Sequence, residues 1–468
     1  MRRRCLAVLI AFLSLSAGFC GSGTRAEFRG EHGILPAGSE IDNEALSRPR
    51  EVFRSEAIGG RKSYLVKLGD AAFNAPLLLG GAARQAGMSC ATCHVNGTFN
   101  PRLFVPGLSH GPGTFDTTGP IFNPLADNGI NDAVTTPSLR GARYLQPYGH
   151  DGRMASLRDF VRGVIVNEFA GPEPSPAILD ALVAYIEDID FLPNRRLGPG
   201  GKLVGQLSDS QKRGEALFYR PFPHDPALSC ASCHIPSGAF VDHRQHDVGS
   251  DGLFKTPTLR NANFNAPYFH DGRYRSYAEV VTHFDRVFYL GLSTQDRRDL
   301  VTYLTAIGDG EQPYEADGVD PRMREIEDFV SVLDAALPAR DGAAVALVID
   351  AVNAELHELS ERFPARKDTA VEGGRDERAK ARGAIKETVL SLHRLEAAAA
   401  REDVETATKR LTDYRATLAA ALPAMKAAEP WSLFDPKVAE AYYAARQQLY
   451  RAAIDPAMAA RRPFDPDD

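Results

Sequence analysis

Apolar residues recur at helical spacing through the last third of the chain, where the sequence is otherwise rich in alanine and charged residues. Residues three or four positions apart lie on one face of a helix. The apolar positions that form these faces are Ile326, Val330, Leu333 and Leu337; Val345, Val348, Val352, Leu356 and Leu359; Ile385, Val389 and Leu392; and Val404, Leu411 and Leu418. Because proline ends helices, breaks are expected at Pro338, 364–374 and 423–436. The pattern predicts a bundle of four or five antiparallel helices over 320–468.

The same spacing appears in two shorter segments upstream. Their apolar positions are Ile178, Leu182 and Tyr185 in one, and Leu300, Tyr303 and Ile307 in the other. Each segment follows one copy of a sequence repeat that is described below. The predicted fold class is therefore mainly α, with two small helical domains followed by the C-terminal bundle.

The first residues have the pattern of an export signal. Arg2, Arg3 and Arg4 precede an apolar run, 5–19, that is too short to span a bilayer, and small residues and then Thr24-Arg25-Ala26 follow. We therefore predict a signal peptide over 1–26, a periplasmic mature protein, and no stable membrane span after cleavage. A retained membrane anchor is the alternative.

Composition narrows the function classes. Lys and Arg number 54 against 61 Asp and Glu, which gives a net charge of −7, and the mean hydropathy is −0.26. A mildly acidic chain is not expected to bind nucleic acid, since that needs a basic surface. The rare residues are six Cys, six Met and one Trp, and two of the cysteines, Cys5 and Cys20, would leave with the signal.

The four remaining cysteines form two Cys-x-x-Cys-His motifs. These are Cys90-Ala-Thr-Cys93-His94 and Cys230-Ala-Ser-Cys233-His234. In c-type haem attachment, two thiols at this spacing bond the haem vinyl groups, and the histidine that follows binds the iron. We therefore predict two covalently attached haem c groups, with His94 and His234 as iron ligands. A zinc site of four thiolates and a disulfide within each pair are the alternatives.

The motifs lie inside a longer repeat. Thr-Pro-Ser-Leu-Arg at 136–140 matches Thr-Pro-Thr-Leu-Arg at 256–260, and Pro-Tyr-Gly-His-Asp-Gly-Arg at 147–153 matches Pro-Tyr-Phe-His-Asp-Gly-Arg at 267–273. The two pairs have the same offset. We predict two cytochrome c-like haem domains, a first half over 27–197 and a second half over 198–319, joined near a Gly/Pro-rich linker at 197–201.

These motifs, in this order, resemble those of the bacterial di-haem cytochrome c peroxidase and MauG family over about residues 50–310. The resemblance implies that the first haem is the high-spin centre that reacts with peroxide and that the second is a six-coordinate electron relay. It also implies a site for Ca²⁺ between the haem domains. The carbonyl ligands of that site in the family correspond to Asn265-Ala266-Pro267, and carbonyl oxygens tolerate changes of side chain.

The resemblance assigns two candidate catalytic residues. His110 lies in a Gly/Pro-rich segment, 105–132, that lengthens the first half, and it takes the place of the family's distal histidine. Glu168 falls two positions before the place of the family's catalytic glutamate. A carboxylate there can take a proton from one oxygen of H2O2 and return it to the other. A surface-loop histidine and a solvated glutamate at a helix end are the alternatives.

The second haem departs from the family. Phe284 stands where the peroxidases place a methionine ligand, and the second half contains no methionine. His283 is the predicted replacement ligand and Tyr289 the second choice, a tyrosine being a MauG trait. An N or O ligand lowers the reduction potential relative to methionine. A partly buried helix histidine is the alternative for His283.

The family's bridging tryptophan is also replaced. His150 takes its position, and the one tryptophan, Trp431, lies far downstream. His150 is predicted to couple the haems electronically or to hydrogen-bond haem propionates, and its repeat partner His270 favours a shared structural role.

The predicted function is therefore a periplasmic di-haem c oxidoreductase that reacts with hydrogen peroxide. The predicted protein partner is a redox partner: a small cytochrome, a cupredoxin or a protein substrate. The absence of the methionine ligand and of the bridging tryptophan disfavours a conventional cytochrome c peroxidase. A non-enzymatic electron-transfer cytochrome is the alternative function. For the C-terminal bundle, the hypothesis is that it is a docking platform for the redox partner.

Overall fold

The structure is a computed structural model that describes residues 34–41, 50–311, 317–365, 373–442 and 444. The predicted signal peptide lies outside these residues. The helices are α1 (Arg54–Ala57), α2 (Tyr64–Asn74), α3 (Gly81–Gln85), α4 (Cys90–Cys93), α5 (Leu157–Gly163), α6 (Pro176–Asp188), α7 (Asp209–Tyr219), α8 (Cys230–Cys233), α9 (Tyr277–Val287), α10 (Thr294–Ile307), α11 (Val319–Ala336), α12 (Gly342–Glu361), α13 (Arg375–Ala399) and α14 (Val404–Ala428). None of the helices among these residues combines the length and the apolar character that a membrane crossing requires.

The strands are short and form three antiparallel pairs. They are β1 (Val52–Phe53) with β4 (Ile189–Asp190), β2 (Thr114–Phe115) with β3 (Val134–Thr135), and β5 (Gln245–Asp247) with β6 (Leu253–Lys255). Helices thus dominate the described residues, which confirms the mainly α prediction.

The two halves are built around the same crossing of helices. α2 packs against α6 in the first half, and α7 packs against α10 in the second. A Cβ atom on Gly69 would overlap a backbone carbonyl of α6, and one on Gly214 would overlap a backbone carbonyl of α10. Each crossing therefore needs a glycine. Tyr185 and Tyr303 lie beside these two glycines and are equivalent.

The bundle consists of α11 to α14, and its first two helices pack on α2 of the first half. One hydrophobic core runs without a break from the first half into the bundle. Its buried members include Leu68 and Phe73 on α2 and Ile326, Phe329 and Val330 on α11. The bundle is therefore fixed to the first half by a shared core.

The predicted helix break over 423–436 is confirmed, but it begins after Pro423, because α14 continues through Pro423 to Ala428. Proline removes one backbone N–H and leaves a carbonyl one turn earlier without its helical donor. Pro423 and Ala419, which carries that carbonyl, are both exposed. Water can satisfy the carbonyl there, so the helix does not need to end.

Candidate haem sites and active site

Each Cys-x-x-Cys-His motif forms a single helical turn, closed in the same way in both halves. The residue before the first cysteine donates its backbone N–H to the third residue of the motif: Ser89 to Thr92 Oγ1 at 3.0 Å, and Ser229 to Ser232 Oγ at 3.1 Å. The backbone N–H of each motif histidine bonds the carbonyl of the first cysteine at 2.9 Å. These local bonds explain why two copies of one short sequence take one geometry.

Both motif histidines present the same ring nitrogen to the backbone. His94 Nδ1 donates to the carbonyl of Thr98 at 3.3 Å, and His234 Nδ1 donates to that of Phe240 at 3.2 Å. The carbonyls of Pro137 and Pro257, at equivalent places in the repeated Thr-Pro segments, also hydrogen-bond these rings. Since Nδ1 carries the proton, Nε2 is the nitrogen that can bind iron.

Burial lowers the pKa of His94 to about 4, against the opposing effect of the Thr98 carbonyl, and burial lowers the pKa of His234 as well. Both imidazoles are therefore neutral near pH 7, as an iron ligand must be.

The four motif cysteines form no disulfide in the structure. Burial raises the pKa of Cys90, Cys93 and Cys230 to about 12, so these groups are protonated near pH 7. Among the described residues, one group of three potential metal ligands comes together, Cys233, Asp242 and His246. The four thiols are not gathered for zinc. Two thiols and one neutral imidazole on one turn are the donor set that c-type haem requires, so both sites fit that cofactor.

The halves are joined through the histidines of their His-Asp-Gly-Arg segments. The backbone N–H of Thr135 bonds the carbonyl of His270 at 2.6 Å, and that of Lys255 bonds the carbonyl of His150 at 2.9 Å. Thr135 and Lys255 are counterparts in the repeat, as are the two histidines. The contact is therefore reciprocal, and each donor lies two residues before a proline that bonds a motif histidine.

Side chains reinforce this interface. Lys255 Nζ donates to the carbonyls of Leu145 and Pro147, both at 2.7 Å. The two histidines are held by contacts within their own halves: His150 Nε2 donates to the carbonyl of Thr135 at 2.6 Å, and the ring of His270 stacks on Phe254 with 3.7 Å between the ring centroids. His150 thus lies at the interface between the halves, and its role between the haems stays a prediction.

Glu168 ends a π-helical turn, Val164–Glu168, that continues α5. Its Oε1 accepts from Arg153 Nη2 at 2.9 Å, and its Oε2 accepts from Thr117 Oγ1 at 2.8 Å. Thr117 belongs to the 105–132 segment and Arg153 to the His-Asp-Gly-Arg segment. The carboxylate is therefore held between two segments that the sequence had marked separately, and π-turns of this kind often occur at functional sites.

His110 lies in the same 105–132 segment. Its Nε2 donates to the carbonyl of Asn131 at 2.8 Å, and its backbone N–H bonds Thr114 Oγ1 at 3.1 Å. The ring thus ties two ends of the segment together. Its role at the first haem stays a prediction.

The two candidate ligands of the second haem lie in different environments. His283 is 2% exposed; its Nε2 donates to the carbonyl of Val248 at 2.7 Å, and its Nδ1 accepts from Tyr274 Oη at 2.9 Å. Coordination by His283 therefore requires Nε2 to leave Val248. Tyr289 is 73% exposed. The assignment of His283 stays a prediction, with Tyr274 as a contact that the sequence did not indicate.

Sequence reasoning missed Arg153, Thr117 and Lys255. Arg153 is the last residue of a quoted repeat motif, so its place in the repeat was a signal that could have been used. Lys255 stands directly before the repeated Thr-Pro segment, where the first half has Thr135. The repeat itself contained no information on which half each side chain would contact.

Comparison with known proteins finds a matching family model and several similar proteins. A sequence model of the family described as di-haem cytochrome c peroxidase matches residues 209–306. Hydrazine synthase subunit gamma of Kuenenia stuttgartiensis is 27% identical over 333 residues, which cover 58% of this chain and 84% of that protein. The methylamine utilization protein MauG of Methylophilus methylotrophus is 24% identical over 250 residues, covering 43% of this chain and 68% of MauG.

A further relative is the cytochrome-c peroxidase IdrP1 of Pseudomonas sp. strain SCT, which is 34% identical over 184 residues, or 27% of this chain and 46% of that protein. These matches support an oxidoreductase of the class that uses haem c. These findings support a relationship of this chain to the di-haem cytochrome c peroxidase and MauG family.

Proposed function

We propose that the mature chain is a periplasmic di-haem c oxidoreductase in which the first haem reacts with hydrogen peroxide and the second relays electrons. The observation that carries this proposal is the pair of equivalent turns, each with two thiols and a histidine whose Nε2 can bind iron, joined through reciprocal backbone bonds. The basic and apolar N-terminus, outside the described residues, supports export.

Haem, when bound, supplies the redox chemistry that reduces peroxide and passes electrons. Cys90 and Cys93 would hold it in the first half, and His94 would bind its iron. Cys230, Cys233 and His234 would do the same in the second half. The carbonyls on each Nδ1 fix the orientation of the ring and its tautomer, which sets how strongly Nε2 donates to iron.

Glu168 is the proposed proton carrier. It accepts a proton from one peroxide oxygen and returns it to the oxygen that departs as water. The contacts with Arg153 and Thr117 hold the carboxylate in place before substrate arrives, so little reorganisation is needed during the reaction. His110, on the same segment as Thr117, is proposed to assist proton movement.

His150 and His270 are proposed to couple the two haem sites. Their carbonyls accept the bonds that cross between the halves, and His150 Nε2 bonds the carbonyl of Thr135. This gives a short hydrogen-bonded connection in place of the family's tryptophan; Trp431 lies beyond the end of α14 and is 40% exposed.

We also propose that Ca²⁺ binds at Asn265 and Pro267. Their counterparts Leu145 and Pro147 direct their carbonyls at the Lys255 ammonium, so one pair of carbonyls already holds a cation. Asn265 Oδ1 is buried and has no hydrogen-bond partner among the described residues, and it adds a third oxygen of the kind that Ca²⁺ prefers. Elemental analysis of dialysed protein, with Asn265→Leu as comparison, tests the site.

The proposed function is tested with optical and EPR spectra of the purified holoprotein before and after one equivalent of H2O2. A high-spin first haem that is altered by peroxide, followed by turnover with a small cytochrome, a cupredoxin or a protein substrate, supports the proposal. Two low-spin haems that peroxide leaves unchanged would instead identify a non-enzymatic electron-transfer cytochrome.

A further inference from the structure

The bundle contributes buried charge to its contact with the first half. Arg322 on α11 is 7% exposed. Its Nε and Nη2 donate to the two oxygens of Asp317 at 2.9 and 3.0 Å, and its Nη1 donates to Glu355 on α12 at 3.1 Å. Although burial opposes it, Arg322 lowers the pKa of Asp317 to about 2. A guanidinium in this setting is permanently charged.

The same cluster crosses into the first half. Glu325, one turn after Arg322 on α11, accepts from Arg50 Nη2 at 3.1 Å. Glu358 Oε2 lies 3.6 Å from Arg322 Nη1, so a third acidic group faces the guanidinium from α12. Charges are expensive to bury, and such clusters are weak contributors to stability. A role other than stabilising the fold is therefore expected for these buried charges.

These charges lie beside the first haem site. A cavity of about 20 Å³, enough for one water molecule, is lined by His94 from the first motif together with Arg322, Glu325 and Glu355 from the bundle. At His234, the ionisable neighbours Asp242 and His246 belong to its own half. Charged residues of the bundle therefore face the first haem site.

We infer that the bundle is a functional wall of the first haem site and that Arg322 is a positioning residue whose charge sets the reduction potential of the first haem. This rests on the proposed function in one respect, that haem occupies the first motif. A positive charge held in a buried setting disfavours the more positive, oxidised iron, and a negative charge favours it. The shared core keeps this charge at a fixed distance.

The inference is tested by spectroelectrochemical titration of the full-length holoprotein, with the second haem as internal reference. Arg322→Met should lower the midpoint potential of the first haem and leave that of the second unchanged, whereas Arg322→Lys should retain the wild-type value. Glu325→Gln removes a negative charge from the same cavity and should raise the first midpoint. Glu325 forms a partly exposed pair with Arg50, so its replacement should disturb folding less than that of Arg322. If Arg322→Met does not fold, Glu325→Gln still tests the inference.

Arg415→Met is the matched control, because Arg415 pairs with Asp334 at 2.8 Å within the bundle and is not among the residues that line the cavity. An unchanged first midpoint in both Arg322→Met and Glu325→Gln would overturn the inference, as would an equal shift in Arg415→Met. Haem content per chain is measured in parallel: a wild-type chain without haem on the first motif would refute the proposed function, whereas full haem content with unmoved potentials would refute this inference alone.

Discussion

The backbone N–H of Thr135 in the first half donates a 2.6 Å hydrogen bond to the carbonyl of His270 in the second. The repeat supplies the reverse contact, from Lys255 to His150 at 2.9 Å. Each donor lies two residues before a proline whose carbonyl hydrogen-bonds a motif histidine. A shift of one half is therefore transmitted along a few bonds to the motif histidine beside it.

Acidification should weaken this interface through His150. Burial lowers its pKa to about 4, below the unfolded value of 6.5, although the Thr135 carbonyl opposes the shift. Between these values the folded state binds fewer protons than the unfolded state, so the free energy of unfolding falls as the pH decreases through this window. Wild type should lose about 1–3 kcal/mol more than His150→Gln between pH 7 and pH 4 in urea unfolding. His357→Gln, at an exposed bundle position, should behave as wild type; equal losses in all three proteins would contradict the assignment.

The helix crossing of the first half should not tolerate a side chain at Gly69. Gly69→Ala forces a methyl group into a carbonyl of α6 and should lower the free energy of unfolding by about 1–3 kcal/mol. Gly383→Ala is the matched control, since a Cβ there meets nothing within 4 Å on α13. It should raise stability by about 0.5–1 kcal/mol, because alanine is the better helix former. Denaturant titration measures both changes, and a neutral Gly69→Ala would mean that the helices can move apart freely.

Glu168→Gln should slow the reaction with peroxide. The amide keeps the size of the side chain and cannot carry the proton, so the second-order rate constant in stopped-flow measurements should fall about 10²–10⁴-fold. Glu173→Gln is the control, because Glu173 lies nearby but pairs with Arg162 in an exposed salt bridge. A rate close to wild type in Glu168→Gln would show that the glutamate is only structural.

His283→Ala should convert the second haem from low to high spin if His283 exchanges its Val248 contact for iron. EPR of the ferric protein reports the change directly, and the spectrum of the first haem serves as reference. Tyr289→Phe should leave both spectra unaltered, since Tyr289 is 73% exposed. If Tyr289→Phe converts the second haem to high spin and His283→Ala does not, Tyr289 becomes the preferred candidate ligand in place of His283.

The motif turns could be predicted from the sequence because their geometry is local. Ser89 and Thr92 close one turn and Ser229 and Ser232 the other, with contacts only three residues apart. The helices of the bundle were likewise visible, because an apolar face repeats at the period of the helix. Helix α14 continues past Pro423 before it ends within the predicted break, since a proline on a solvent-facing side of a helix costs less than one in the core.

What the sequence by itself determined is the pair of motif turns, the internal repeat and the mainly α fold, all of which depend on residues close together in the chain. Only the tertiary structure decided that Thr135 meets His270, that Arg153 and Thr117 meet at Glu168, and that the bundle shares a core with the first half. These contacts join residues far apart in sequence. Their formation depends on how packed helices bring segments together, and a repeat or a periodic pattern does not specify that.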